Sequence, residues 1–116
     1  MSSYEILTER RDFLRAAKAS HARAPGFVIQ GRRRAAGEGD SALRVGFTCS
    51  KKVGNAVARN RAKRRLREAA REVLPKAGKP AWDYVLIGLH GKTAARPWPL
   101  LLEDLRAALL RLHGTS

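Results

Sequence analysis

The sequence predicts an α+β two-layer sandwich formed by one domain spanning residues 1–116. Three observations predict it. Leu43, Val45, Phe47 and Cys49 alternate with Arg44, Gly46, Thr48 and Ser50, the period of a strand with one buried face. Ala58, Ala62, Leu66, Ala69 and Val73 recur every three or four residues, the period of a helix that can lie on such a sheet. A chain of 116 residues with 44% hydrophobic but only 6% aromatic side chains suits a modest core of Leu, Val, Ile and Ala.

Each element has its own signal. Thr8 is a candidate cap for a short first helix, with Asp12 in its early turns and Phe13, Leu14, Ala16 and Ala17 as its apolar stripe. Pro25-Gly26 ends that region, and Phe27-Val28-Ile29-Gln30 reads as a strand. Gly31 to Ser41, with Arg32, Arg33 and Arg34, reads as a flexible basic connection to the alternating strand. That strand puts Cys49 on its apolar side, where it packs as a small core residue. Lys51 to Gly54 is a turn or a very short strand, and Asn55 caps the long basic helix, which Pro75 stops. Tyr84 to Leu89 is an apolar run expected as a strand covered on both faces, followed by a turn at His90 to Thr93. Pro99 opens a last helix with Leu101, Leu105, Ala108, Leu109 and Leu112 on its buried side. The expected order is αββ(β)αβα.

The charge is uneven. The formal net charge is +14, and residues 50–71 carry nine basic side chains against one acidic, net +8. Such concentration is the footprint of a polyanion binder, nucleic acid before membrane. The lone Cys49 excludes an internal disulfide and a Cys-based zinc site, and points to a reducing, cytoplasmic setting. His21, His90 and His113 have no metal-ligand spacing, and no apolar run is long enough to span a bilayer. The glycine-rich nucleotide motifs and the nucleophile elbow are missing.

On the basic helix, Asn60, Lys63, Arg64, Arg67 and Arg71 lie opposite the apolar stripe, with Arg61 and Arg65 along one edge and Arg59 nearer the seam. Neighbours three and four residues apart sit about 5–6 Å from each other, close to the repeat of backbone phosphates. Asn60, a neutral amide among cations, suits a sugar hydroxyl, a base edge or a hydrated ion, and equally an ordinary first-turn position. Lys51, Lys52, Asn55 and Arg59 are expected around one phosphate at the helix start, where Gly54 allows close backbone approach. The reading that follows is a groove for a single strand between the open sheet face and the basic helix. Phe13 is the candidate stacking platform, unless it packs in the core.

The stretch from Leu43 to Glu68, with Ser50-Lys51-Lys52, Gly54-Asn55-Ala56-Val57 and Arg59-Asn60-Arg61, resembles the signature of the bacterial ribonuclease P protein component. Asp12-Phe13, Phe27-Val28, Asp83-Tyr84-Val85-Leu86-Ile87 and the Leu-rich end agree with it, so the resemblance covers nearly the whole chain. It implies a left-handed βαβ crossover through the basic helix, against the general handedness rule. It implies the protein subunit of a ribonucleoprotein whose catalytic RNA subunit hydrolyses the 5′ leader from precursor tRNA with magnesium, Mg2+ held mainly by RNA. No protein-borne catalytic residue, membrane or obligate protein partner is implied. The resemblance also implies that the leader lies in a cleft between the sheet and the first helix, with the Arg59-Asn60-Arg61 region against the catalytic RNA. Carried over by position, the RNA-binding residues are Lys51, Lys52, Asn55, Arg59, Asn60, Arg61, Lys63, Arg64 and Arg67, and the leader cleft holds Phe13, Phe27, Gln30 and Arg44. The chain departs from the family at Ala17 and Gln30, where aromatics are expected, and at Leu89-His90, where a basic residue is common. From the residues alone, an RNA-binding module of another kind and an autonomous metal-dependent nuclease stay open; for the latter Glu38, Asp40, Asp83, Glu103 and Asp104 are widely dispersed.

Overall fold

The alternating segment forms β4 (Arg44–Cys49), and the apolar run forms β5 (Trp82–Gly88), its parallel neighbour. Between them runs α2 (Ala56–Ala77), so the two parallel strands are joined by a crossover through the basic helix. β3 (Phe27–Arg33) pairs antiparallel with β5, and β2 (Ser20–Arg23) pairs antiparallel with β3. A two-residue strand, β1 (Glu5–Ile6), lies parallel on the outside of β4, giving the order β1-β4-β5-β3-β2. This computed structural model describes residues 4–39 and 41–114; Asp40 lies outside the described residues.

One sheet face carries the main core. Phe27 and Ile29 of β3, Val45 of β4 and Tyr84 and Leu86 of β5 are fully buried against Leu66, Ala69, Ala70 and Val73 of α2. The last helix, α4 (Trp98–Gly114), completes this layer with Leu101, Leu105, Ala108, Leu109 and Leu112. Small residues on α2 let its axis lie close to the sheet, as the alanine-rich stripe predicts. The Tyr84 hydroxyl is not wasted in this core: it accepts from the Lys79 backbone N–H at 3.0 Å and meets His113 Nε2 at 2.6 Å. Burial pushes its pKa up to about 12. α1 (Arg10–Ala17) lies on the opposite face, where Ala16 packs on Leu7 and Val85 with Phe13 and Ile87 beside them.

Several boundaries differ from the sequence expectation. Glu9, not Thr8, is the N-cap of α1, and it makes no side-chain cap bond. β1 and β2 were not expected: a two-residue strand has no period, and Ser20–Arg23 offers only Ala22 as an inward apolar residue. β3 runs three residues past the expected end at Gln30, because its partner β5 supplies register out to Arg33↔Trp82. Lys51–Val53 is a 3-10 turn and not a strand. Pro75 does not stop α2: the helix continues to Ala77, closed by the Gly78 N–H to Leu74 carbonyl bond of 2.8 Å. A proline ring removes one amide donor, and neighbouring bonds and the burial of Val73 and Leu74 carry the helix past it. The turn at His90 leads into a short helix, α3 (Lys92–Ala95). No helix among the described residues is long and apolar enough to cross a membrane.

Candidate nucleic-acid interface

The sheet face under α1 is organised in three cross-strand rows. The first is Glu5, Arg44, Asp83 and Arg32; the second runs from Gly46 through Val85 and Gln30 to His21; the third is Thr48, Ile87, Val28 and Arg23. α1 covers the first two. Phe13 sits directly on Gly46: a Cβ built on that glycine would lie 2.6 Å from the Phe13 ring, so only glycine fits beneath it. In the third row Thr48, Ile87 and Val28 are only half-buried. The row therefore forms a floor beyond the covered part of the face. Lys51 and Lys52, both exposed, follow at the end of β4.

The first row is an ion cluster that holds α1 and the 34–43 connection to the sheet. Asp83, 1% exposed, accepts from Arg34 at 2.5 Å and from Arg44 twice at 2.7 Å. Arg34 also donates to the carbonyls of Trp82 and Ala42, and Arg44 reaches Asp12 of α1 at 3.6 Å. Arg32 clasps Glu38 through two bonds of 2.8 Å. That bidentate pair raises the Arg32 pKa and draws the Glu38 carboxyl down to about 2, while the bond to Asp83 raises Arg44. These arginines are satisfied inside the protein and are not offered to a phosphate.

α2 is the reverse case. Arg59, Asn60, Arg61, Arg64, Arg67 and Arg71 are exposed and Lys63 is half-buried. Among the described residues none of its cations is ion-paired, although Glu68 and Glu72 lie on the same helix. The local sequence explains its start. Gly54 takes φ 112°, ψ −141°, a conformation that strains any other residue, and Asn55 caps the helix, its Oδ1 accepting from the Ala58 N–H at 3.0 Å. Arg67 lies over the Phe47 ring, 5.9 Å from its centroid, with its charge still outward. Arg65 behaves differently: it donates to the carbonyls of Thr93, Ala94 and Arg96 at 2.7–2.9 Å and lies over Trp98. It caps the end of α3 and is structural.

Two expectations about this region are corrected. The open sheet face is not opposite the basic helix: α2 packs on the Phe27–Val45–Leu86 face, while the half-open row lies on the other, beside α1. Lys51 and Lys52, in the turn joining β4 to α2, link the two surfaces at the sheet edge. Phe27 is not a cleft residue. It is fully buried in the main core because residues 27, 29 and 31 of β3 point toward α4.

Of the other expected cleft residues, Phe13 is half-buried between α1 and the sheet, so core packing takes most of its ring. Gln30, 9% exposed, bonds His21 Nε2 at 3.3 Å, and Arg44 is committed to Asp83. Sequence reasoning missed the structural roles of Asp83, Arg34 and Arg65. Asp83 carried a signal, since a carboxylate that begins an apolar strand needs a buried partner.

The sequence model of the family described as Ribonuclease P matches residues 1–113. The chain is 62% identical over 113 residues to the Ribonuclease P protein component of Ruegeria pomeroyi, covering 97% of this chain and 90% of that one. It is 51% identical to the counterpart from Caulobacter vibrioides, covering 94% and 71%. The solved RNase P protein of Thermotoga maritima superposes with a TM-score of 0.73 at 28% identity, covering 95% of this chain and 99% of that one. That of Staphylococcus aureus gives 0.70 at 28% identity, covering 96% and 97%.

The chain belongs to the ribonuclease P protein family. Membership makes it the protein subunit of a tRNA-processing endoribonuclease, with an RNA subunit as its partner. Within the ribonuclease P fold, Lys51, Lys52, Asn55 and Arg59 gather around the start of α2, and Asn60, Arg61, Arg64 and Arg67 line its outward side. Ala17 ends α1 and is exposed, and Leu14 one turn before it is 49% exposed.

Proposed function

We propose that this ribonuclease P protein binds the catalytic RNA through the outward side of α2 and the 5′ leader of precursor tRNA along the Thr48–Ile87–Val28 floor. It thereby assists endonucleolytic removal of the leader while the RNA performs the chemistry. The observation that carries this reading is the contrast in pairing. The arginines under α1 are neutralised by Asp83, Asp12 and Glu38, whereas the α2 cations have no carboxylate partner among the described residues. Unpaired cations at three- and four-residue spacing on a rigid helix fit a phosphate backbone. Lys51 and Lys52 stand where a strand leaving the floor would meet the helix.

Magnesium belongs to the RNA in this reading. Four of its carboxylates, Asp83, Asp12, Glu38 and Asp104, are each already held by an arginine. No three His, Cys, Asp or Glu side chains among the described residues converge on a metal position. The test is cleavage of precursor tRNA at low magnesium by the protein alone, the catalytic RNA alone and the two together. Stimulation only in the mixture is the expected result. Cleavage by the protein alone would make it a nuclease in its own right, and no stimulation at any salt concentration would make it an RNA binder of another kind.

A further inference from the structure

The far end of α2 holds a second cationic recess. Lys79 and Pro80 follow the helix, Arg33 ends β3 and Trp82 begins β5, directly paired with it. With His113 of α4 these residues line a cavity of about 420 Å³. Arg33 and Lys79 are exposed, and Trp82 is half-buried. Among the described residues the lining includes no carboxylate, and Asp83, next in sequence, points to the opposite face and is consumed by Arg34 and Arg44.

The indole is held from behind. Tyr84 stacks with it, ring centroids 5.9 Å apart and planes 16° from parallel. His113 meets it edge-on at 4.3 Å. His113 is itself fixed by Tyr84, and burial together with the nearby Lys79 charge lowers its pKa. A half-buried aromatic ring in a cavity that also holds two exposed cations is the combination that takes an unpaired base and its phosphate. The volume lies within the range of small-ligand pockets and suits one nucleotide.

We infer that the Arg33–Lys79–Trp82 recess is a second RNA site that takes one unpaired nucleotide, its base on Trp82 and its phosphate between the two cations. It rests on the reading of this chain as an RNA binder and goes beyond it in place. α2, 22 residues and about 33 Å long, runs between Lys51 and Lys52 at its start and the recess at its far end, so an RNA that occupies both must grip the protein at two ends.

Trp82 reports on the site directly. In a Trp98→Phe variant it is the only tryptophan. Titration with penta-adenylate should quench its emission in a saturable way. Arg33→Ala and Lys79→Ala should each weaken that titration about fivefold, while Lys51→Ala/Lys52→Ala leaves its midpoint within about twofold. A parallel titration follows the anisotropy of dye-labelled penta-adenylate. If anisotropy rises and depends on Lys51 and Lys52 while Trp82 stays silent, the recess is not a site and the α2 reading stands. Silence in both signals removes both. Quenching that follows Lys51 and Lys52 instead of Arg33 and Lys79 also overturns the recess. A second measurement uses the unaltered chain: an oligouridylate carrying 5-iodouridine should crosslink to the peptide containing Trp82, and adducts confined to other peptides count against it.

Discussion

Two parts of this molecule are rich in arginine, and they use it in opposite ways. Under α1, Arg32, Arg34 and Arg44 are clamped by Glu38 and Asp83, with Asp12 closing the cluster from the helix. Along α2, Arg59, Arg61, Arg64 and Arg67 stand in solvent without a carboxylate partner among the described residues. The side-chain chemistry is the same. What differs is whether the charge has been neutralised before any RNA arrives. Sequence counting weights the two regions alike, and only the pairing separates the scaffold from the proposed interface.

The largest expected effect breaks the paired region. Asp83→Ala removes the carboxylate that accepts from the buried guanidinium of Arg34, whose side chain is 2% exposed, and from Arg44. Removing one partner of such a pair typically costs about 3–5 kcal/mol, so urea denaturation should show a loss of that order. Arg65→Ala tests the exception on α2. Three carbonyls lose a charged donor, a loss of about 1–3 kcal/mol in the same assay, whereas Arg64→Ala should leave stability within about 0.5 kcal/mol.

In RNA binding the ranking should reverse. Lys63→Ala or Arg67→Ala should lower the slope of log affinity against log salt by about 0.7 per lost single-strand phosphate contact. Arg32→Ala should leave the slope unchanged, because its charge is already spent on Glu38. An unaltered slope for Lys63 and Arg67 would take them out of the interface.

The smallest effect is a pH dependence. The Glu38 carboxyl, near 4.5 when free and about 2 beside Arg32, favours the ionised form in the folded state. A depressed folded value means that its contribution is complete above about 4.5 and is lost as acidification proceeds toward about 2. Glu38→Gln should therefore flatten the stability profile between those two values and leave it unchanged in shape near neutrality. A profile identical to that of the parent chain would show that the clasp on Arg32 does not form in solution.

The legible parts of the fold were those with a long period. The β4 alternation, the α2 stripe and the last helix follow from spacing alone, and so does the exposure of the cations opposite Ala62 and Leu66. β1 and β2 were not legible, because edge strands of two and four residues are held by their neighbours' register and not by their own pattern. Spacing alone places the basic helix beside the open face, whereas the family resemblance implies the first helix there, and α1 is the helix on that face. Strand alternation says that a sheet has two faces; it does not say which helix lies on which. Phe27 was misjudged for the same reason, since its role depends on α4, a helix more than seventy residues later in the chain.

Gly46 gives the face beside α1 its height. With no side chain there, the Phe13 ring comes down onto bare backbone, its Cζ and Cε1 in the space a Cβ would need. A methyl at this point would force the Phe13 ring, with Leu7 beside it, to shift. The width of the proposed leader floor is thus tied to a residue whose whole side chain is a hydrogen atom.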